Sequence, residues 1–122
     1  MAKTVLIADD SEQVRKYVAK VLRPDEDFKS CEEAVDGVDA LAKAKECHAD
    51  LVILDLGMPV MNGLETAREL KRLMPMVPII LFTLHGHVIS DEHAKLYGVD
   101  LVVAKSDITL LRDHVRSLLQ LA

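Results

Sequence analysis

The chain alternates between short apolar runs and longer amphipathic segments. Four short runs cover residues 5–8, 51–54, 79–82 and 101–104, and a weaker fifth covers residues 28–35. Successive runs begin 22 to 28 residues apart, which suits one strand followed by one crossover helix. Three of the runs are continuously apolar, as strands covered by helices on both faces are. The pattern therefore predicts the five strands of a parallel sheet.

The segments between the runs are typical of helices, because their apolar residues recur every three or four positions. The predicted helices cover residues 11–22, 36–46, 62–74, 88–97 and 107–121. Asn62 is a suitable helix cap. The spacing places Tyr17 on the apolar stripe of the first helix and Val38, Leu41 and Ala42 on one side of the second. Five strand–helix units predict one α/β domain over residues 1–122, a doubly wound three-layer sandwich.

Composition narrows the class of protein further. With 122 residues the chain suits one domain, and with 3% aromatic residues its core must be aliphatic. A net charge of −5 argues against non-specific binding to nucleic acid. Cys31 and Cys47 are too few for a disulfide scaffold. No apolar run approaches the ~18 residues of a membrane span, and the start lacks a signal-peptide core. We expect a cytoplasmic protein without a membrane partner.

Polar and charged side chains follow four of the predicted strands. Asp9 and Asp10 come after the first strand, Asp55 after the third, Thr83 after the fourth and Lys105 after the fifth. In a doubly wound sheet, binding sites lie beyond the carboxyl ends of the strands. These five side chains should therefore meet at one edge of the sheet.

Each of these residues could have an ordinary structural role, and Asp10 or Ser11 could simply cap the first helix. Together they indicate chemistry. Three crowded carboxylates repel one another unless a cation joins them, and Mg²⁺ prefers such oxygen ligands and often binds phosphate as well. A carboxylate can also carry a phosphoryl group. Lys105 and the Thr83 hydroxyl could then bind phosphoryl oxygens.

The motifs that carry these residues resemble those of the receiver domains of two-component response regulators. The resemblance covers essentially the whole chain, and its most specific part is the segment Asp-x-x-Met-Pro-x-Met-Asn-Gly that begins at Asp55. The matching segments are residues 5–11, 54–63, 82–83 and 104–105. The resemblance implies a flavodoxin-like fold, a (βα)5 sandwich whose parallel strands have the order 2-1-3-4-5.

The resemblance also implies a role for each residue. Asp55 would take a phosphoryl group from the phosphohistidine of a histidine kinase or phosphotransfer protein. Mg²⁺ would bind Asp10, Asp55, the Gly57 backbone carbonyl and, through water, Asp9. Thr83 and Lys105 would sense the phosphoryl group. The protein would act as a signalling switch rather than an enzyme, catalysing only its own phosphoryl transfer and slow self-dephosphorylation.

Details of the motifs bear on the partners. Residues 61–65, 83–85 and 105–106 are similar to those of receivers that precede a LuxR-type helix-turn-helix domain. An output domain or partner protein would bind the face made by the fourth helix, fifth strand and fifth helix, and phosphorylation could favour a homodimer. We expect no direct nucleic-acid binding by this chain. Val102 stands where many family members carry the Tyr or Phe of the conformational switch.

Other functions stay open on the sequence. Val102 and Leu84 would suit a degenerate receiver, which binds partners without phosphorylation. An aspartate-nucleophile phosphatase would need the motif Asp-x-Asp beginning at Asp55, but Gly57 stands where the second aspartate would be. A flavin carrier would need a Ser/Thr/Gly-rich phosphate-binding loop after the first strand, and this sequence lacks one there. The pair His85 and His87 could bind a metal only with further ligands.

Overall fold

The computed structural model describes residues 2–84 and 89–121, and of residues 29–31 it describes the backbone alone. Five parallel strands form one sheet of order β2-β1-β3-β4-β5. The strands are β1 (Lys3–Ala8), β2 (Phe28–Ala34), β3 (Leu51–Leu54), β4 (Ile79–Thr83) and β5 (Leu101–Ala104). The predicted flavodoxin-like sheet is confirmed, with every strand within two residues of its predicted bounds.

A helix follows each strand. The helices are α1 (Glu12–Leu22), α2 (Gly37–Cys47), α3 (Gly63–Leu73), α4 (Asp91–Lys95) and α5 (Leu111–Leu118), with a 3₁₀ segment (Lys105–Leu110) before α5. The side chains of Ser11, Asp36, Asn62 and Ser90 cap the first four helices. At α3 the cap is reciprocal, because Glu65 also accepts from the Asn62 N–H. In the described part of the chain, no helix has both the length and the apolar character to cross a membrane.

The sheet lies between two apolar layers. Val5 and Ile7 of β1 face the layer that contains Val18 of α1 and Leu111 of α5. Alternate residues face the other layer, where Leu6 and Val52 lie in one cluster with Ala44 of α2, Leu70 of α3 and Ala94 of α4. This is the predicted three-layer sandwich, and successive strand residues point to opposite layers as the strand period requires.

Two predictions about which helix residues are buried are wrong. Val38 is exposed and α2 instead buries Ala40 and Ala44, because α2 lies close against the sheet and α3 and only small side chains fit there. Tyr17 is 57% exposed, since the narrower stripe of Val18 and Leu22 already fills the space under α1.

In place of the predicted helix over residues 107–121 the chain forms the 3₁₀ segment followed by α5, and Asp107, inside the 3₁₀ segment, has non-helical dihedral angles (φ −99°, ψ 29°). The fourth helix is shorter than the predicted 88–97, and Val88, where it was expected to begin, lies outside the described residues.

One close approach fixes the position of β3 relative to α3. The Gly63 N–H donates to the Leu56 carbonyl at 2.9 Å. A Cβ at Gly63 would lie 2.4 Å from the Asp55 carbonyl oxygen and 2.8 Å from Leu81 Cδ1. Helix α3 therefore begins directly on the backbone of Asp55, and only glycine allows this contact.

Replacing Gly63 by alanine should destabilise the protein by about 2 kcal/mol, because the new methyl group meets backbone that cannot move aside. Urea unfolding measures the change. Gly57→Ala is the matched control, because its Cβ would meet only Asp55 Oδ2, at an ordinary 3.8 Å. Equal stability of the two variants would contradict the close approach.

Candidate functional site

The five side chains predicted to meet at the sheet edge do line one pocket. It has a volume of about 370 Å³ and lies at the carboxyl ends of β1, β3, β4 and β5. Asp9, Asp10, Asp55, Thr83 and Lys105 contribute to its wall. The remaining lining residues are Ser11, Val14, Leu56, Gly57 and Leu84. The topology thus brings together residues up to 96 positions apart in sequence.

Asp9 is the most enclosed of the carboxylates, with 2% of the residue exposed. Its Oδ1 accepts a hydrogen bond from the Ser11 N–H at 2.8 Å, and its Oδ2 accepts one from Lys105 Nζ at 2.8 Å. Its own N–H donates to the Ala34 carbonyl of β2. Both carboxylate oxygens of Asp9 thus have a donor, and the side chain is held in one orientation.

Asp55 lies at the end of β3, where its N–H donates to the Ala8 carbonyl of β1. Its Oδ1 is 3.1 Å from Lys105 Nζ. Burial, together with the neighbouring charge of Asp9, raises the pKa of the Asp55 carboxyl above its usual value, although Lys105 opposes the shift. The ionised form of Asp55 is therefore disfavoured in the pocket, and an added cation would stabilise it.

Lys105 follows β5 and bridges the two buried carboxylates. Burial disfavours its charge, but the hydrogen bonds to Asp9 and Asp55 outweigh burial and raise the pKa of its ammonium group above the usual value. The ammonium group therefore stays charged at neutral pH. Its side chain is only 13% exposed, so the surrounding charges are poorly screened by solvent.

Asp10 completes a group of three carboxylates. Oxygen atoms of Asp9, Asp10 and Asp55 lie within 4.8 Å of one another. Asp10 is exposed, and Ser11, not Asp10, caps α1. Three carboxylates beside one ammonium group leave two formal negative charges in the pocket. The charge and the hard oxygen donors fit a divalent cation such as Mg²⁺.

Thr83, Gly57 and Leu84 complete the predicted set. Thr83 is buried at the end of β4. Gly57 leaves space beside Asp55, because a Cβ there would be 3.8 Å from Asp55 Oδ2. Leu84 lines the pocket but is 70% exposed, so it forms part of the rim and does not close the site.

Two residues of this region were missed by the sequence analysis, Ser11 as a donor to Asp9 and Arg15. The Arg15 guanidinium donates to the backbone carbonyl of Asp9. Arg15 lies one turn into α1, and no spacing rule links a helix residue to a carbonyl of the preceding loop. His85 and His87, the weak candidates for a second metal site, lie outside the described residues.

Comparison with known proteins agrees with this geometry. The chain is 36% identical over 105 residues to the chemotaxis protein CheY of Halobacterium salinarum, covering 86% of each chain. It superposes on the response regulator domain of Thermotoga maritima CheB with a TM-score of 0.89, at 20% identity, over 100% of this chain and 99% of that one. It superposes on a LuxR-family DNA-binding response regulator of Staphylococcus aureus with a TM-score of 0.82, at 26% identity, over 96% and 98% of the two chains.

The sheet order and the acidic pocket fit a phosphorelay signalling domain. Residues 5–116 match the family model of the response regulator receiver domain, and the chain belongs to that family. This confirms the resemblance and the function it implied, that of a receiver in two-component signalling. Other relatives are longer, and the chain spans between 21% and 40% of their length.

The crowding of the carboxylates leads to a prediction for the metal-free protein. Asp10→Asn should raise the free energy of unfolding by up to about 1 kcal/mol in the presence of a chelator, because it removes a charge that repels Asp55. Urea unfolding at pH 7 measures this. Glu26→Gln is the control, because it removes an exposed acid outside the pocket. A loss of stability on Asp10→Asn would argue against repulsion in the pocket.

Proposed function

We propose that Asp55 is the phosphoacceptor of this receiver and takes a phosphoryl group from the phosphohistidine of a histidine kinase or a phosphotransfer protein. The observation that carries the proposal is the convergence of Asp55, Lys105 and Thr83 on one pocket that opens to solvent. A carboxylate oxygen of Asp55 would form the new bond to phosphorus. The phosphorus–nitrogen bond of the donor would break, and its electron pair would return to the donor imidazole.

Asp55 suits this role better than its two neighbours. Both oxygens of Asp9 accept hydrogen bonds and its side chain is only 3% exposed. Asp10 is exposed at the rim, outside the contacts made by Lys105. Asp55 combines a contact from Lys105 to Oδ1 with the space that Gly57 leaves near Oδ2. An incoming phosphoryl group thus has both room and a neighbouring positive charge.

We propose Mg²⁺ as the cofactor, because the pocket offers oxygen donors and two uncompensated negative charges. Asp10, Asp55 and the Gly57 carbonyl would hold the ion directly and Asp9 would hold it through water. The ion would neutralise negative charge on the transferring phosphoryl group. Asp9 keeps Lys105 beside Asp55 during transfer, and Lys105 and the Thr83 hydroxyl bind phosphoryl oxygens afterwards.

The signal would leave the site through the fourth and fifth strands. Thr83 ends β4, and β4 pairs with β5 along residues 80–83 and 101–104. The backbone N–H of Val102 donates to Asp91 Oδ1 at 3.2 Å, which links β5 to the first turn of α4. A shift of Thr83 would thereby reach the α4-β5-α5 face without an aromatic side chain at position 102.

This face would bind an output domain or a partner protein, with a homodimer as one form of the phosphorylated state. The protein would be a signalling switch whose only catalysis is its own phosphorylation and slow dephosphorylation. A cytoplasmic location stays a prediction. A phosphorylation-independent interaction module finds no support among the described residues, because the aspartates, the threonine and the lysine of the site all reach the pocket.

Incubation with acetyl phosphate and Mg²⁺ should add one phosphoryl group to the protein, measured by intact-mass spectrometry. The product should be an acyl phosphate, so hydroxylamine should remove the group. Asp55→Asn should abolish the modification, because an amide oxygen is a poor nucleophile. Chelation of the metal should slow the reaction at least tenfold.

Asp113→Asn is the matched control, because Asp113 is an exposed residue in the first turn of α5. This variant should be modified at the wild-type rate. Phosphorylation of Asp55→Asn to the wild-type extent, or an unmodified wild-type protein, would overturn the proposed role of Asp55.

A further inference from the structure

Arg15 connects helix α1 to the loop that carries two of the three carboxylates. Its Nη1 donates to the backbone carbonyl of Asp9 at 2.8 Å, and its Nε donates to Glu33 Oε1 at 3.0 Å. The Arg15 side chain is only 11% exposed. The two contacts use different nitrogens of one planar guanidinium group, so that Glu33 fixes the orientation in which Arg15 meets the Asp9 carbonyl.

We infer that Arg15 is a positioning residue for the metal site, an inference that rests on the proposed function. The carbonyl that Arg15 holds belongs to the peptide bond between Asp9 and Asp10. Because this peptide unit is planar, fixing its oxygen also fixes the nitrogen and the Cα of Asp10. The backbone of Asp10 in turn sets the direction of its Cα–Cβ bond, from which the carboxylate reaches the pocket. Arg15 thereby prepares Asp10 to bind Mg²⁺.

Glu33 makes this arrangement compatible with a cation nearby. An unpaired guanidinium next to the pocket would repel Mg²⁺, but Glu33 is ion-paired with Arg15 at 3.0 Å and with Lys16 at 2.8 Å. Lys16 contacts the other oxygen of Glu33, and its side chain is 61% exposed. Lys16 and Arg15 are thus both positive charges paired with Glu33. Of these two residues, Arg15 is the one that donates to the Asp9 carbonyl.

The sign of one measurement separates positioning from simple electrostatics. If Arg15 acted only through its charge, Arg15→Gln would strengthen Mg²⁺ binding, because a positive charge near the cation would be lost. If Arg15 positions Asp10, the same variant should weaken Mg²⁺ binding by about tenfold, as loss of a partner that orients a ligand does in other metal sites. Arg15→Lys should weaken binding by less, since a lysine keeps a charged donor for the Asp9 carbonyl although it lacks the fork that meets both partners.

Titration with Mg²⁺, followed by NMR of backbone amides, tests the inference on the folded protein. The dissociation constant should rise about tenfold in Arg15→Gln and stay within twofold of wild type in Lys16→Gln. The amide resonance of Asp10 should shift or broaden in metal-free Arg15→Gln and not in Lys16→Gln. A role in stability alone would change neither reading, because both are made on protein that is folded.

Unchanged or tighter Mg²⁺ binding by Arg15→Gln, while the wild-type protein binds normally, would overturn this inference and leave the proposed function intact. Equal weakening in Lys16→Gln would also overturn it, because the charge around Glu33 would then explain the effect. Failure of the wild-type protein to bind Mg²⁺ would contradict the proposed function and the inference together.

Discussion

Electrostatic repulsion among the pocket carboxylates is balanced by one ammonium group, that of Lys105, and the arrangement of the sheet edge depends on this contact. Lys105 lies 2.8 Å from Asp9 Oδ2 and 3.1 Å from Asp55 Oδ1. Burying unpaired carboxylates would cost several kcal/mol each. The ammonium group comes from the end of β5, the edge strand of the sheet. The buried carboxylates therefore have this partner only when the strands lie in the correct order. The charge that remains uncompensated makes the site receptive to a divalent cation.

The acidic residues are positioned by contacts that bring no unpaired charge to the pocket, since Arg15 is ion-paired with Glu33. The Ser11 N–H fixes one oxygen of Asp9, Gly63 lets α3 start on the backbone of Asp55, and Arg15 holds the Asp9 carbonyl. Such support suits a site whose reactive groups repel one another, because it holds the Asp9 side chain and the backbone next to Asp10 and at Asp55 without a bound ion. On the route towards the α4-β5-α5 face, the Val102 N–H donates to Asp91 Oδ1 and so joins β5 to α4.

Most of the fold and nearly all of the site residues could be predicted from the sequence, and the failures lie in the helices. Strands were predicted well because a strand covered on both faces is apolar along its length, as β3 is throughout and β4 is as far as Phe82. The buried side of a helix is less certain, since small residues can replace large ones where a helix lies close to its neighbours. In α2 this favours Ala40 and Ala44 over Val38. The 3₁₀ segment before α5, with its non-helical residue Asp107, is set by local dihedral angles that no periodicity reveals.

The sequence by itself determined the class of sheet, the family and the residues at the strand ends, because each of these is written in short local patterns: apolar runs, helix caps and the motif that begins at Asp55. Only the tertiary structure decided which carboxylate oxygens meet Lys105, which aspartate stays open to a partner, and that Arg15 supports the acidic loop. These are contacts between residues distant in sequence or between a side chain and a backbone carbonyl. They depend on distances of a few ångströms that packing sets and that no spacing along the chain encodes.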